Sequence, residues 1–166
     1  AEDPSPPCAV VIVGYGPAGR EVSAALRDNG LAAEIIELNP AAIERGRSDG
    51  VSIHIGDATS TDVLAHAGVQ QAKAVVVTVP DPATARDITA AVRSLAPQIR
   101  LLVRSRFQRG CAEINAAGAT KVIDEETTVG RLLAHETLSS LELGHDAGLA
   151  CALAGKTPGI RVTDAG

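Results

Sequence analysis

Aromatic side chains are nearly absent from this chain of 166 residues, which holds one tyrosine, one phenylalanine and no tryptophan. That scarcity argues against the stacking platforms on which single-stranded nucleic acids are held. No Lys/Arg-rich run occurs and the formal net charge is −5, so neither a nucleic acid nor an anionic membrane surface is the expected partner. No stretch approaches the roughly 20 consecutive apolar residues of a membrane-spanning helix. The opening Ala1 to Pro7 lacks the charged and apolar regions of a signal peptide. A soluble, cytoplasmic piece is expected.

Cysteine is equally sparse. Cys8, Cys111 and Cys151 are odd in number and lack metal-type spacing, which suits a reducing compartment better than a disulfide scaffold. Methionine is missing altogether, so either an initiator was trimmed or the chain was cut from something larger. The Pro-rich residues 1–8 read as a linker, a semi-rigid tether to another domain or the disordered terminus of a free-standing protein. The length fits one nucleotide-sized domain and leaves no room for a separate catalytic one.

Six short apolar runs are present: Ala9 to Val13, Ala33 to Leu38, Val51 to Ile55, Ala74 to Val79, Ile99 to Arg104 and Lys121 to Asp124. They alternate with helix-like segments, which predicts a parallel sheet covered on both faces. Pro17, Pro40 and Pro82 sit where helices begin, Asp81 where an N-cap belongs, and Gly30, Gly50, Gly68 and Gly118 where helices end. The expected fold is α/β: a Rossmann-like, doubly wound parallel six-stranded sheet in the order 3-2-1-4-5-6. A last helix is expected from about Thr127 to Leu141, with Val129, Leu132, Leu133 and Leu141 on or near one face. The domain is drawn over residues 9–143, with residues 144–166 as an irregular tail.

Gly14, Gly16 and Gly19 follow the first run and open a helix. At this spacing they suit a tight turn, the close approach of a pyrophosphate to bare backbone N–H groups, and close packing of helix on strand. Glu37, at the end of the second run, is placed to accept both ribose hydroxyls, and its charge disfavours a 2′-phosphate, so NAD(H) or a plain adenosine nucleotide is expected over NADP. Asn39 is a second contact or a cap for the helix opening at Pro40. Asp57, in Gly56-Asp57-Ala58-Thr59, either reaches the adenine amino group or caps the next helix. Thr78 and Val79 shape the pocket beside the glycine turn. Arg104 and Arg106 are candidates for meeting phosphate or for a salt bridge across a subunit boundary, and Arg104 is favoured as a phosphate contact, since a guanidinium matches phosphate oxygens bidentately.

Asp124, Glu125 and Glu126 suit a divalent cation or, more ordinarily, the first turn of a helix. His54, His66, His135 and His145 share no metal-type spacing, and His54 reads as a packed or rim imidazole on a strand. No Gly-x-Ser-x-Gly elbow exists, and no catalytic residue is assigned.

The ordered set Gly14-Tyr15-Gly16-Pro17-Ala18-Gly19-Arg20, Ile36-Glu37-Leu38-Asn39-Pro40, Gly56-Asp57-Ala58-Thr59, Val77-Thr78-Val79-Pro80-Asp81 and Val103-Arg104-Ser105-Arg106 resembles the TrkA-N, or RCK N-terminal, domain. The likeness runs from about Val10 to about Leu141. It is strongest to the cytoplasmic domain of monovalent cation:proton antiporters of the glutathione-regulated potassium-efflux type. The resemblance implies a module that binds NAD(H), AMP, ADP or ATP without turning it over. It also implies pairing with a second copy, at the inner face of the membrane, and passing the binding state to a transmembrane cation transporter.

Gly14, Gly16, Gly19, Glu37, Asp57 and Arg104 match the family's ligand positions, with Tyr15, Pro17, Ala18, Leu38, Asn39, Ala58, Thr78 and Val79 around them. Glu126 matches an acid that in some members helps hold a divalent ion. Many members have Arg where this chain has Pro17, and that Arg meets the terminal phosphates of a di- or triphosphate. Its absence leans the expectation towards AMP or a dinucleotide. Two rival readings are a small NAD-dependent oxidoreductase, for which no substrate pocket is legible, and an S-adenosylmethionine-dependent methyltransferase, for which the acid often found before the turn is missing.

Overall fold

The computed structural model describes residues 9–141. Six strands and six helices alternate along it: β1 (Val10–Val13), α1 (Pro17–Asp28), β2 (Ala33–Glu37), α2 (Pro40–Ser48), β3 (Ser52–Ile55), α3 (Thr61–His66), β4 (Ala74–Val77), α4 (Pro82–Leu95), β5 (Arg100–Ser105), α5 (Cys111–Ala116), β6 (Lys121–Asp124) and α6 (Glu125–Ser140). A single 3₁₀ turn, Gln108–Gly110, precedes α5. All strand pairs are parallel, in the order β3-β2-β1-β4-β5-β6, as the alternation predicts.

The strands divide their side chains between two cores because successive residues point to opposite faces. Val11, Val13, Ile36, Val75, Val77, Leu101 and Val103 pack with Leu64 of α3, Ala85, Ile88 and Val92 of α4, and Ile114 of α5. Val10, Ile12 and Ile35 pack on the other face with Val22 and Leu26 of α1 and Ala42 of α2. Buried on both faces, β1 has no polar residue at all. Its burial supplies part of the hydrophobic stabilisation, at ~25 cal/mol per Å² of apolar surface removed from water.

Punctuation residues act where the sequence places them. Pro17, Pro40 and Pro82 each occupy the first turn of a helix, and Asn39 and Asp81 cap α2 and α4 by accepting backbone N–H bonds. Gly30, Gly50, Gly68 and Gly118 all have positive φ and close helices. Most strand ends differ from the apolar runs by one or two residues, as at Val77, beyond which the Thr78 N–H and hydroxyl still reach the Val13 carbonyl of β1.

The chain divides into two compact units, the first ending at Asp124 and the second beginning at Glu125. The first holds the sheet and α1 to α5. The second opens with α6, which starts two residues before the expected Thr127 because Glu125 and Glu126 enter its first turn, where carboxylates suit the helix dipole. None of the residues of α6 is buried, and Val129, Leu133 and Leu141 are exposed. The tether of residues 1–8 and the tail of residues 144–166 lie outside the described residues. Among the described residues no helix is long and apolar enough to cross a membrane.

Candidate functional site

The strand order reverses between β1 and β4, and in open parallel sheets the crevice outside the carboxyl ends of the strands at such a point receives ligands. The β1–α1 turn lies there. Gly14 has φ +96°, a conformation side chains resist, and its N–H donates to the Ile36 carbonyl at 2.9 Å. At Gly19 an added Cβ would fall 2.0 Å from the Gly14 carbonyl oxygen, so a bare Cα is needed for the helix to meet the strand.

Gly16 differs from both. Its φ of −73° suits any residue, and a Cβ there would meet nothing within 4 Å. Among the described residues no contact requires a glycine at this N-cap position, and its open backbone would admit a ligand lying against it. The helix that follows is left open: no side chain caps α1, and its first turn holds no acid. Pro17 has no N–H, and the Arg20 amide already donates to the Gly16 carbonyl at 3.0 Å. The amides of Gly16, Ala18 and Gly19 thus precede the first intrahelical bond, at the positive end of the helix dipole.

Glu37 stands beside this turn and holds it in shape. Its Oε2 accepts from the Tyr15 N–H at 2.6 Å, while Oε1 accepts from the Leu38 and Asn39 amides at 2.7 and 2.8 Å. A carboxylate has about four acceptor positions, so one remains open without rearrangement. Leu38 is exposed next to it. Asn39 is engaged in capping, its Oδ1 accepting from Ala41 and Ala42.

The Tyr15 ring turns away from the crevice into the smaller core, 4% exposed, and its hydroxyl donates to Asp49 at 3.0 Å. Burial first, and the Asp49 bond second, push its phenol above the ordinary 10.0. Thr78 is also structural: its hydroxyl reaches the Val13 and Gly14 carbonyls at 3.0 and 3.1 Å, tying the end of β4 to the glycine turn. Val79 packs half-buried beside it. Arg104 Nη1 donates to the Thr78 carbonyl at 3.1 Å, which brings its guanidinium to the same corner. Arg106 instead lies over the Phe107 ring, as does Arg109.

Asp57 follows β3 and is exposed. Its Oδ1 accepts from the backbone N–H and hydroxyl of Thr59, and these bonds, the backbone one foremost, hold its carboxyl below the usual range. Oδ2 takes no part in these bonds, so the local turn and an adenine contact are compatible. Ala58 is buried in the larger core.

Glu126 sits in the first turn of α6, in the second unit. Among the described residues no cluster of His, Cys, Asp or Glu could hold a metal ion. His54 contacts Glu34 at 2.9 Å and meets His66 edge-on, as a rim imidazole does. An open cleft of about 880 Å³ lined by Lys73, Pro97 and Arg100 lies at the opposite, amino edge of the sheet, away from the glycine turn. The residue sequence reasoning passed over is Arg20, whose Nε is buried with no hydrogen-bond partner. Its signal was a cation in the opening turns of a helix, at the unfavourable end of the dipole.

The TrkA-N domain profile matches residues 10–125. A protein named as a K(+) efflux antiporter, KefB, from Alkalimonas amylolytica is 30% identical over 134 residues, covering 81% of this chain and 20% of its own length. The chain therefore spans about a fifth of the curated relative it matches. Among solved structures, the TrkA-N domain of the Escherichia coli inner membrane protein ybaL superposes with a TM-score of 0.73 at 25% identity, covering 78% of this chain and 96% of that one. The Kef C-terminal domain of Shewanella denitrificans, solved with AMP bound, gives 0.70 at 26% identity, covering 83% and 82%.

Proposed function

The chain belongs to the TrkA-N domain family, and from that premise we propose that it binds an adenine nucleotide, AMP or NAD(H), at the β1–α1 turn as a regulatory ligand. Gly16 carries the reading, because neither its backbone angle nor its surroundings require a glycine, yet it heads a helix that no side chain caps. The phosphate lies against the amides of Gly16, Ala18 and Gly19, the ribose meets Glu37, the adenine lies towards Leu38 and Asp57, and Arg104 adds a cation at the same corner. Tyr15, Pro17, Asn39, Ala58, Thr78 and Val79 form the frame rather than the contacts. AMP in the Shewanella denitrificans relative supports the nucleotide class.

Nucleotide occupancy would act by favouring one arrangement of a pair of such domains over another, and it shifts that balance only by the difference in affinity for the two. The relation to a KefB antiporter, only 20% of whose length is matched, supports a cytoplasmic domain that passes this difference to a transmembrane potassium or other cation pathway. A regulatory ligand need not be turned over, and no residue is assigned a catalytic role.

A thermal-shift and calorimetric panel of AMP, ADP, ATP, NAD, NADH, NADP and S-adenosylmethionine tests the reading. Stabilisation by AMP or NADH, with little by NADP, is expected; at a ligand concentration 100 times Kd it amounts to roughly 2.7 kcal/mol. Stabilisation by S-adenosylmethionine alone would overturn it.

A further inference from the structure

We propose that Arg20 is a phosphate-recognition residue of the nucleotide site, selecting a ligand with a phosphomonoester such as AMP over the bare nucleoside. This rests on the nucleotide reading above and names the group that supplies charge at a turn where Pro17 supplies neither a side-chain donor nor an N–H.

Three observations converge on it. First, the Arg20 Nε is buried and has no hydrogen-bond partner, and its side chain makes no ion pair among the described residues. A buried donor on an ionised group is costly unless an acceptor arrives. The chain's structural arginine behaves quite differently: Arg93 donates to the carbonyls of Pro97, Ile99 and Gly118 through all three of its nitrogens.

Second, Arg20 occupies the opening turns of α1, where the dipole disfavours a cation, and no acid in the first turn offsets it. An anion at the head of the helix would reverse the sign of that interaction. Third, helical side chains lean towards the N-terminus of their helix, so the side chain of Arg20 covers the turn at Gly16 and Pro17 rather than the one after it. That turn is where Gly16 leaves space for a ligand. A guanidinium also offers paired donors that match two oxygens of one phosphate.

The phosphate of AMP is close to dianionic at neutral pH, whereas each bridging phosphate of a dinucleotide carries a single charge. Arg20 therefore contributes most for AMP, less for NADH and nothing for adenosine. The test is calorimetric titration of the wild-type chain and of Arg20→Gln and Arg20→Lys with AMP, NADH and adenosine, with thermal melts of the ligand-free proteins as a control on folding.

For Arg20→Gln the expected result is a loss of AMP affinity of roughly ten- to hundredfold, a smaller loss for NADH and an unchanged adenosine affinity. Arg20→Lys should recover part of the AMP affinity. Equal losses for AMP and adenosine would mean that Arg20 only props the turn. Unchanged AMP affinity in both variants, with wild-type protein binding AMP tightly, would overturn the assignment and leave the site standing. Failure of wild-type protein to bind AMP or NADH would remove the site itself.

Discussion

Substituting Gly16 and Gly19 in parallel separates what the β1–α1 turn needs in order to fold from what it needs in order to bind. In Gly19→Ala the new Cβ falls 2.0 Å from the Gly14 carbonyl oxygen and 3.2 Å from the Thr78 hydroxyl, against atoms fixed by β1 and β4. Backbone must move, and overpacking of this kind costs about 1–3 kcal/mol or somewhat more. At roughly 3–5 °C per kcal/mol for a domain of this size, the melting temperature should fall by on the order of 10 °C.

In Gly16→Ala nothing is met within 4 Å and the backbone is already acceptable to alanine. Lost chain entropy in the unfolded state stabilises by about 0.4–1 kcal/mol, while alanine at an N-cap costs a comparable amount, so the melting temperature should stay within a few degrees of wild type. Binding should respond instead: in the proposed site the methyl would stand where the phosphate lies, and AMP affinity should drop at least about tenfold, or ~1.4 kcal/mol. Differential scanning calorimetry and titration calorimetry on the two variants measure both quantities. A Gly16→Ala protein that melts normally and binds AMP normally would refute the idea that a ligand approaches this backbone.

Other substitutions probe the same corner. Glu37→Gln removes charge from an acceptor of three amides, so ligand-free stability should fall by roughly 1–3 kcal/mol and AMP affinity with it; loss of neither by denaturant melts and titration would show the carboxylate to be idle. Discrimination against NADP should relax in the same variant, read as the ratio of NADP to NAD affinities. Tyr15 has a phenol held above its usual value in the fold, so its contribution is full below about pH 10 and is lost as pH rises further; Tyr15→Phe should cost about 0.5–1.5 kcal/mol at neutral pH and blunt the alkaline decline, and the one tyrosine makes its ultraviolet titration unambiguous. Asp57 is depressed, so its contribution is present above about pH 4 and is lost as pH falls; Thr59→Ala, which keeps the backbone donor, should raise its carboxyl part of the way back by NMR titration.

The sheet and the turns at its carboxyl edge were legible because the residues that set them act locally. Pro17, Pro40 and Pro82 fix φ for a first helical turn, and Gly30, Gly50, Gly68 and Gly118 take positive φ at helix ends, whatever the rest of the chain does. The family pattern found in the sequence from Gly14 to Arg106 falls within the span that the TrkA-N profile matches. Less legible was the use each side chain makes of its donors, since that depends on partners far along the chain. Tyr15 stands between two glycines of the β1–α1 turn in sequence, yet its hydroxyl finds Asp49, 34 residues on. Thr78 lies within an apolar run but serves Val13 and Gly14 across 64 or 65 residues. Asn39 and Asp57 were each read with two roles; Asn39 does cap its helix, whereas Asp57 bonds Thr59 in a local turn and does not cap α3, whose N-cap is Ser60.

Glu37 joins the two levels. Its position at the end of β2 follows from periodicity, but only the folded chain reveals that Tyr15, Leu38 and Asn39 already occupy three of its acceptor positions. A ribose with two hydroxyls to place cannot be fully satisfied by the one position left, so binding both requires the carboxylate to release a backbone amide. The amides in question belong to the β1–α1 and β2–α2 turns, the entries to the two helices that cover one face of the sheet. Ribose recognition and the geometry of those entries are therefore linked through one side chain. Hydrogen exchange should detect it: the Tyr15, Leu38 or Asn39 amide should lose protection when AMP binds, even as the amides of Gly16, Ala18 and Gly19 gain it. If all six gain protection together, Glu37 keeps its backbone bonds and the ribose is held by other groups.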